Sequence, residues 1–264
     1  MIRNVAARLE LDISGRTNMV LSLAVAHGAN VTTEHLDILL DGEPIEPTEL
    51  VDRHGSRLHQ LVSGPGHMTI DYAAEVAGQQ DAAVAEELDQ IIYLRPSRYC
   101  ESDTLLPTAQ SEFRGLRGFE LLAAVSSWVN DHLRYVPGSS RVTDGAVGTL
   151  LARQGVCRDY AHLVIALLRA IDVPARMAAV YAPGLTPMDF HAVAEAYIDG
   201  NWHVVDATGL APRQSLLRIS TGRDAADIAF LTNHWANLRL RDLKVLAIVD
   251  ELPVDGFEQK VQLR

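Results

Sequence analysis

The chain has 264 residues, 48% of them hydrophobic and 22% charged, a balance that allows one large buried core or two modest ones. A formal net charge of −11, without any clustered run of Lys and Arg, argues against nucleic acid or anionic membrane as the main partner. No apolar stretch approaches membrane-spanning length, and Met1–Val5 lacks the apolar core and cleavage site of a secretory signal. The expected setting is therefore the cytoplasm, with Cys100 and Cys157 read as free thiols.

From Ala7 to about Tyr72, apolar and polar residues alternate in short runs such as Leu9-Leu11-Ile13, Val20 to Val25, Leu36-Ile38-Leu40 and Met68-Ile70-Tyr72. Turn signals separate them at Ser14-Gly15, His27-Gly28, Asp41-Gly42 and Ser63 to Gly66, which predicts an antiparallel sheet or small sandwich. The pattern is lost over residues 77–115, which read as a crossing between a β-rich domain at 1–110 and a second domain at 111–264. A helical stripe follows from Gly118, with Leu121, Leu122, Val125, Trp128, Val129 and Leu133 at three- and four-residue spacing. Thr143-Asp144-Gly145 caps a short helix whose end is marked by Gly155, and a second helix runs from Cys157 to about Ala170. Strands are expected at Arg176–Tyr181, His191–Ile198 and Trp202–Ala207, and further sheet around Lys244–Val249.

Cys157 shares a helical face with Ala161, Val164, Ile165 and Leu168, which by itself describes a small core hydrophobe. Its place in the first helical turn adds a reason for function, because unpaired N–H groups and the helix dipole favour a negative sulfur there. A thiolate is the nucleophile that acyl transfer needs. The deciding question is whether a base lies nearby.

Asp199-Gly200 suits a two-residue type I′ turn, which sets Ile198 opposite Asn201 and Tyr197 opposite Trp202. Counting outward places Val193 opposite Asp206 and His191 opposite Thr208, so that His191 and Asp206 become diagonal neighbours on one face. Their Cβ atoms would then lie roughly 7 Å apart, close enough for the carboxylate to reach the imidazole. A slip of one residue would move Asp206 to the other face. His203 points away from that face and His162 sits on the helix of the thiol itself, so neither is well placed as the base. Glu195 falls on the His191 side and reads as a strand-edge residue in solvent.

The order Cys157, His191, Asp206, carried by Gln154 to Ala161, Arg169 to Arg176, His191 to Glu195 and Trp202 to Thr208, resembles the transglutaminase-like superfamily, in its bacterial cysteine-protease branch. The resemblance extends over the sheet-rich N-terminal region and Gly222-Arg223-Asp224. It implies an α+β fold, a papain-like core of helices packed on an antiparallel sheet preceded by a β-sandwich-like domain. It also implies a Cys157-His191-Asp206 triad acting on an amide or peptide bond of a peptide or protein substrate. Oxyanion donors are expected from the Cys157 N–H and the Tyr135 hydroxyl. Nothing resembles a calcium loop, so no metal or cofactor is expected. Transfer to an amine is a variant of the hydrolytic reading. A noncatalytic peptide- or protein-binding module on the same fold is the alternative, and a zinc site built from the same three side chains ranks below both.

Overall fold

The first seven strands build most of a sandwich: β1 (Ile2–Ile13), β2 (Thr17–Leu21), β3 (Val31–Leu40), β4 (Glu43–Pro44), β5 (Thr48–Val51), β6 (Arg57–Ser63) and β7 (Gly66–Ala77), with period-two burial in β1, β2, β6 and β7. The computed structural model describes residues 1–256 and 259–264. Every second residue of β1 from Val5 to Ile13 is buried, and these side chains share one core with Met19, Leu21 and Leu61 of the facing sheet.

Next come α1 (Glu87–Ile92), α2 (Ser102–Glu112), α3 (Gly118–His132), β8 (Arg134–Tyr135), α4 (Ala146–Ala152), β9 (Gln154–Gly155) and α5 (Cys157–Ala170). The chain then forms β10 (Ala175–Tyr181), β11 (Phe190–Ile198), β12 (Asn201–Val205), β13 (Leu217–Gly222), β14 (Leu231–His234) and β15 (Leu238–Val249). Strands β12-β11-β10-β13 make an antiparallel sheet, and α5 lies between it and the other helices. Residues Leu163 to Leu168 of α5 are inaccessible to solvent, because the helix is covered on both sides. The whole is an α+β fold with a sandwich ahead of a helix-on-sheet unit, as the resemblance implies.

Several local expectations give way. Residues 77–115 hold two helices, and Leu105, Ala109 and Phe113 pack α2 into the same core as α5. Pro107 within α2 and its polar composition hide that periodicity in the sequence. The stop of α4 is Arg153, left-handed at φ 56°, while Gly155 pairs with Tyr135 in the short β8–β9 bridge. Strand β2 ends at Leu21, and Leu23 to Val25 continue as buried irregular chain. Residues 231–249 do not stay with the second unit: β14 pairs with β2 and β15 with β1, forming the outer strands of both sandwich sheets.

The buried loop after β2 joins the two units. Tyr181 of β10 donates its hydroxyl to the Leu23 carbonyl at 2.8 Å, and the Ala26 N–H donates to the Arg218 carbonyl at 2.9 Å. Val25 N–H donates to the Tyr72 hydroxyl at 2.8 Å, and the Tyr72 and Tyr181 rings stack with centroids 6.4 Å apart. These contacts satisfy backbone groups that burial would otherwise leave unpaired.

Glu195 is buried, contrary to the solvent-facing expectation, and lies between two arginines that are themselves buried. Arg176 Nε donates to it at 2.8 Å, and Arg218 donates through both terminal nitrogens at 2.8 and 2.7 Å. Burial alone would raise the Glu195 pKa, but the two guanidiniums overcome it and hold the value at about 2. Removing one member of a buried ion group leaves uncompensated charge and costs about 3–5 kcal/mol. Glu195→Gln is expected to lose that much in urea unfolding at neutral pH. Because the folded pKa is depressed, the contribution is present above the ordinary 4.5 and is lost as pH falls toward 2. The wild type should therefore weaken more steeply across that range than Glu195→Gln; parallel acid curves would show that the group is not ionised as described.

Candidate functional site

The site begins with how α5 starts. Val156 is extended at φ −117°, ψ −177°, and its N–H donates to Asp159 Oδ2 at 2.8 Å, which ties the helix entry to its own third residue. Asp159 Oδ1 accepts from the Ser140 hydroxyl at 2.9 Å, and Arg158 donates to Ser140 Oγ at 2.5 Å and to the Arg141 carbonyl. A Cβ on Gly155 would lie 2.6 Å from the Asp159 Cβ, so this capping geometry requires glycine there. Cys157 follows as the first helical residue, partly exposed, with its sulfur at the positive end of the dipole.

The β11–β12 hairpin supplies the partners. Asp199 and Gly200 both have positive φ, 51° and 83°, as a type I′ turn demands, and Ile198 pairs with Asn201 and Tyr197 with Trp202. The ladder runs to Ala194 opposite Val205, so the next step sets Val193 against Asp206. His191 Nε2 and Asp206 Oδ2 are 2.8 Å apart, both side chains buried. The other carboxylate oxygen accepts from the Thr208 N–H at 2.9 Å and from its hydroxyl at 2.7 Å. Asn130 of α3 donates to the Ala207 carbonyl at 2.8 Å, fixing the turn that presents Asp206.

With Nε2 committed, His191 Nδ1 is buried and has no hydrogen-bond partner among the described residues, which leaves it free to face the thiol of Cys157. Burial disfavours the imidazolium, but the charge and hydrogen bond of Asp206, and then Cys157, outweigh it and raise the His191 pKa to about 10. Asp206 answers in kind: burial pushes its pKa up, yet His191 and then Thr208 bring it below the ordinary value. The pair therefore favours imidazolium beside carboxylate.

Other residues fall out differently. Cys100 is fully buried, and burial pushes its thiol up to about 12. His162 is buried with a pKa lowered to about 3, again by burial; its Nε2 accepts the Ala225 N–H at 3.2 Å and its ring stacks on Tyr99. His203 packs edge-on against Phe119 at 4.6 Å. Tyr135, carried to the α5 entry by the β8–β9 bridge, stands beside Cys157; burial first, and then its neighbour Cys157, raise its pKa. Asp189, which the sequence reading passed over, sits two residues before His191 and is held above the ordinary carboxylate range by burial. Its only signal in sequence was that proximity.

Cys157, His191 and Asp189 open onto a cavity of about 650 Å³ with mostly apolar walls. Phe190, Ile219 and Phe230 line it, as do Leu231 and Leu243 of the returning strands, so the sandwich contributes to the site. Among the described residues no group of three or more His, Cys, Asp or Glu is arranged to hold a metal ion. No helix among them is long and apolar enough to cross a membrane.

Comparison with known proteins gives the architecture a family. Residues 110–207 match the model of the transglutaminase-like superfamily. A crystal structure from Cytophaga hutchinsonii, described as a "putative cysteine protease", superposes with a TM-score of 0.89 at 32% identity, covering 98% of this chain and 95% of that one. An uncharacterised Mycobacterium leprae protein is 25% identical over 182 residues, 66% of this chain and 64% of its own length. An uncharacterised Mycobacterium bovis protein is 30% identical over 128 residues, 41% of this chain and 40% of its own. The chain thus spans less than two thirds of these curated relatives, whereas it matches nearly all of the C. hutchinsonii structure. With a matching core, a full-length structural counterpart and the Cys-His-Asp order in place, the chain belongs to the transglutaminase-like superfamily.

Proposed function

We propose that the chain is a cysteine-dependent peptidase or amidase in which Cys157 is the nucleophile, His191 the general acid and base, and Asp206 the residue that orients the imidazole. The observation that carries this reading is the buried His191 ring, bonded through Nε2 to Asp206, with Nδ1 unpartnered among the described residues and with Cys157 as its neighbour on the same cavity. The family match and the C. hutchinsonii structure support the same reading.

The steps follow from protonation. In this reading His191, with its pKa raised to about 10, takes the proton given up by Cys157 and leaves the sulfur to act as the nucleophile. The sulfur attacks the amide carbonyl carbon; the electron pair moves to oxygen, where the Cys157 N–H and the Tyr135 hydroxyl donate to the oxyanion. Collapse breaks the C–N bond as His191 Nδ1 passes its proton to the leaving amine, leaving a thioester. Water then attacks the thioester, Nδ1 takes a proton from it, and the carboxylic acid departs with the pair restored. An amine in place of water would give transamidation; the cavity is open to solvent, which favours water. Its apolar walls suit a peptide with an apolar side chain near the scissile bond. We also propose a reducing compartment, the cytoplasm, because an unpaired thiol is required and both cysteines are free.

Turnover of a mixed peptide library, read by mass spectrometry, tests the proposal: cleavage is expected in the wild type and its loss in Cys157→Ala, while retained cleavage in that variant would contradict it. Asp206→Asn should keep the fold but lower kcat/KM by roughly 10²–10⁴-fold, the usual weight of general acid–base catalysis. The raised His191 pKa sets the pH profile. Activity is expected to hold until pH approaches 10, where the imidazolium deprotonates, and this alkaline limb should move down in Asp206→Asn. An alkaline limb that ignores Asp206 would remove it from the mechanism.

A further inference from the structure

The Arg176-Glu195-Arg218 group holds one more positive charge than negative, and it is buried. Arg218 is engaged through both terminal nitrogens: beyond its two bonds to Glu195 it donates to Thr221 Oγ1 at 2.6 Å. Arg176 is not. It is 1% exposed, donates from Nε alone, and its two terminal nitrogens find no acceptor among the described residues. The Trp202 ring lies 4.0 Å from its guanidinium carbon, which covers the face of the group but leaves its N–H edge open.

That guanidinium lines a cavity of about 240 Å³ together with Arg53, His54, Arg218 and Thr221. Arg53 contacts Asp89 at 2.7 Å and reaches Glu86 at 3.8 Å. Glu86 is the carboxylate that also lines the cavity; its side chain is 61% exposed, so it sits at the rim and leaves the buried charge unmatched. His54 Nε2 is taken by the Tyr93 hydroxyl at 2.7 Å, while Nδ1 has no partner among the described residues. The Thr221 hydroxyl accepts from Arg218 and keeps its own proton to donate. Burial, and next the Arg176 charge, push the His54 pKa below its ordinary value.

We propose that this cavity is an oxoanion site, which takes the carboxylate or phosphate group of a small molecule on the free N–H edge of Arg176, with Arg53, His54 and the Thr221 hydroxyl as further donors. Guanidinium edges bind such groups through paired N–H donors, and a single negative charge would neutralise the surplus. The site draws on the β5–β6 turn, on residues 83–86 and on β10 and β13, so a bound anion ties the sandwich to the sheet that carries His191. Arg176 pairs with Glu195, four residues along β11 from His191, or about 13 Å at the rise of a strand. The inference does not depend on the activity proposed for Cys157.

Thermal unfolding of the full chain, with sodium phosphate, acetate or chloride at one fixed ionic strength, reads the site directly. Phosphate, acetate or both should raise Tm in a saturable way over chloride, and which of them does so distinguishes a phosphate from a carboxylate ligand. Arg176→Gln, which leaves the Arg218–Glu195 pair neutral and doubly bonded, should abolish the response. Crystals of the wild type soaked in selenate should show its anomalous signal within hydrogen-bond distance of Arg176, a readout that stands even if the variant fails to fold. Equal Tm in all three salts, a response that survives Arg176→Gln, or selenate bound only elsewhere would overturn the proposal.

Discussion

The hydrogen bond between His191 and Asp206 exists only in one register of one hairpin, and most of the fold serves to keep that register. Because side chains alternate across a strand, a slip of one residue would turn Asp206 to the opposite face. The turn fixes the count: Asp199 and Gly200 both adopt positive φ, which the two-residue type I′ loop needs and which glycine adopts without strain. Thr208 and Asn130 then hold the far end, through the second oxygen of Asp206 and the Ala207 carbonyl. A loop elsewhere in the chain could drift by an ångström without chemical consequence. Under the proposed mechanism this one could not, because there the imidazole meets both a carboxylate and a thiol carried by another element.

The thiol arrives from an equally constrained direction. Asp159 caps the residue before Cys157, Gly155 leaves room for that cap, and β9 anchors Gly155 beside Tyr135. Behind the helix entry, Arg169 donates to the carbonyls of Ala175, Arg95 and Arg223, so that the end of α5, the start of β10 and two loops move as a unit. The sandwich is more than an attached domain in this arrangement. Its buried loop bonds β10 through Tyr181, and its returning strands supply Leu231 and Leu243 to the cavity wall.

How much of this was legible in the sequence depends on how local the determining interaction is. Helix α5, the β11–β12 turn and the His191–Asp206 relation were readable because each rests on periodicity or turn chemistry within a short stretch. What escaped depends on distant partners. Glu195 looks like a solvent residue until Arg176 and Arg218 are brought around it. Strand β15 reads as generic sheet, since nothing in its own residues says that it will pair with β1 across almost the whole chain. Helix α2 hides behind Pro107, and the stop of α4 uses Arg153 where glycine was the better local guess. Asp189 had no pattern to announce it, because it lies in the exposed segment just before β11 and reaches the cavity only through the fold.

The central claim, that Cys157 is a thiolate maintained by His191, is tested most directly by iodoacetamide alkylation at neutral pH, with each cysteine followed by mass spectrometry in the wild type and in His191→Ala. Cys157 should label rapidly while Cys100, buried with its thiol pushed up to about 12, stays unmodified, and His191→Ala should slow Cys157 markedly. Labelling of Cys157 that is no faster than that of Cys100, or that is unchanged without the imidazole, would contradict the account and leave the fold without its proposed nucleophile.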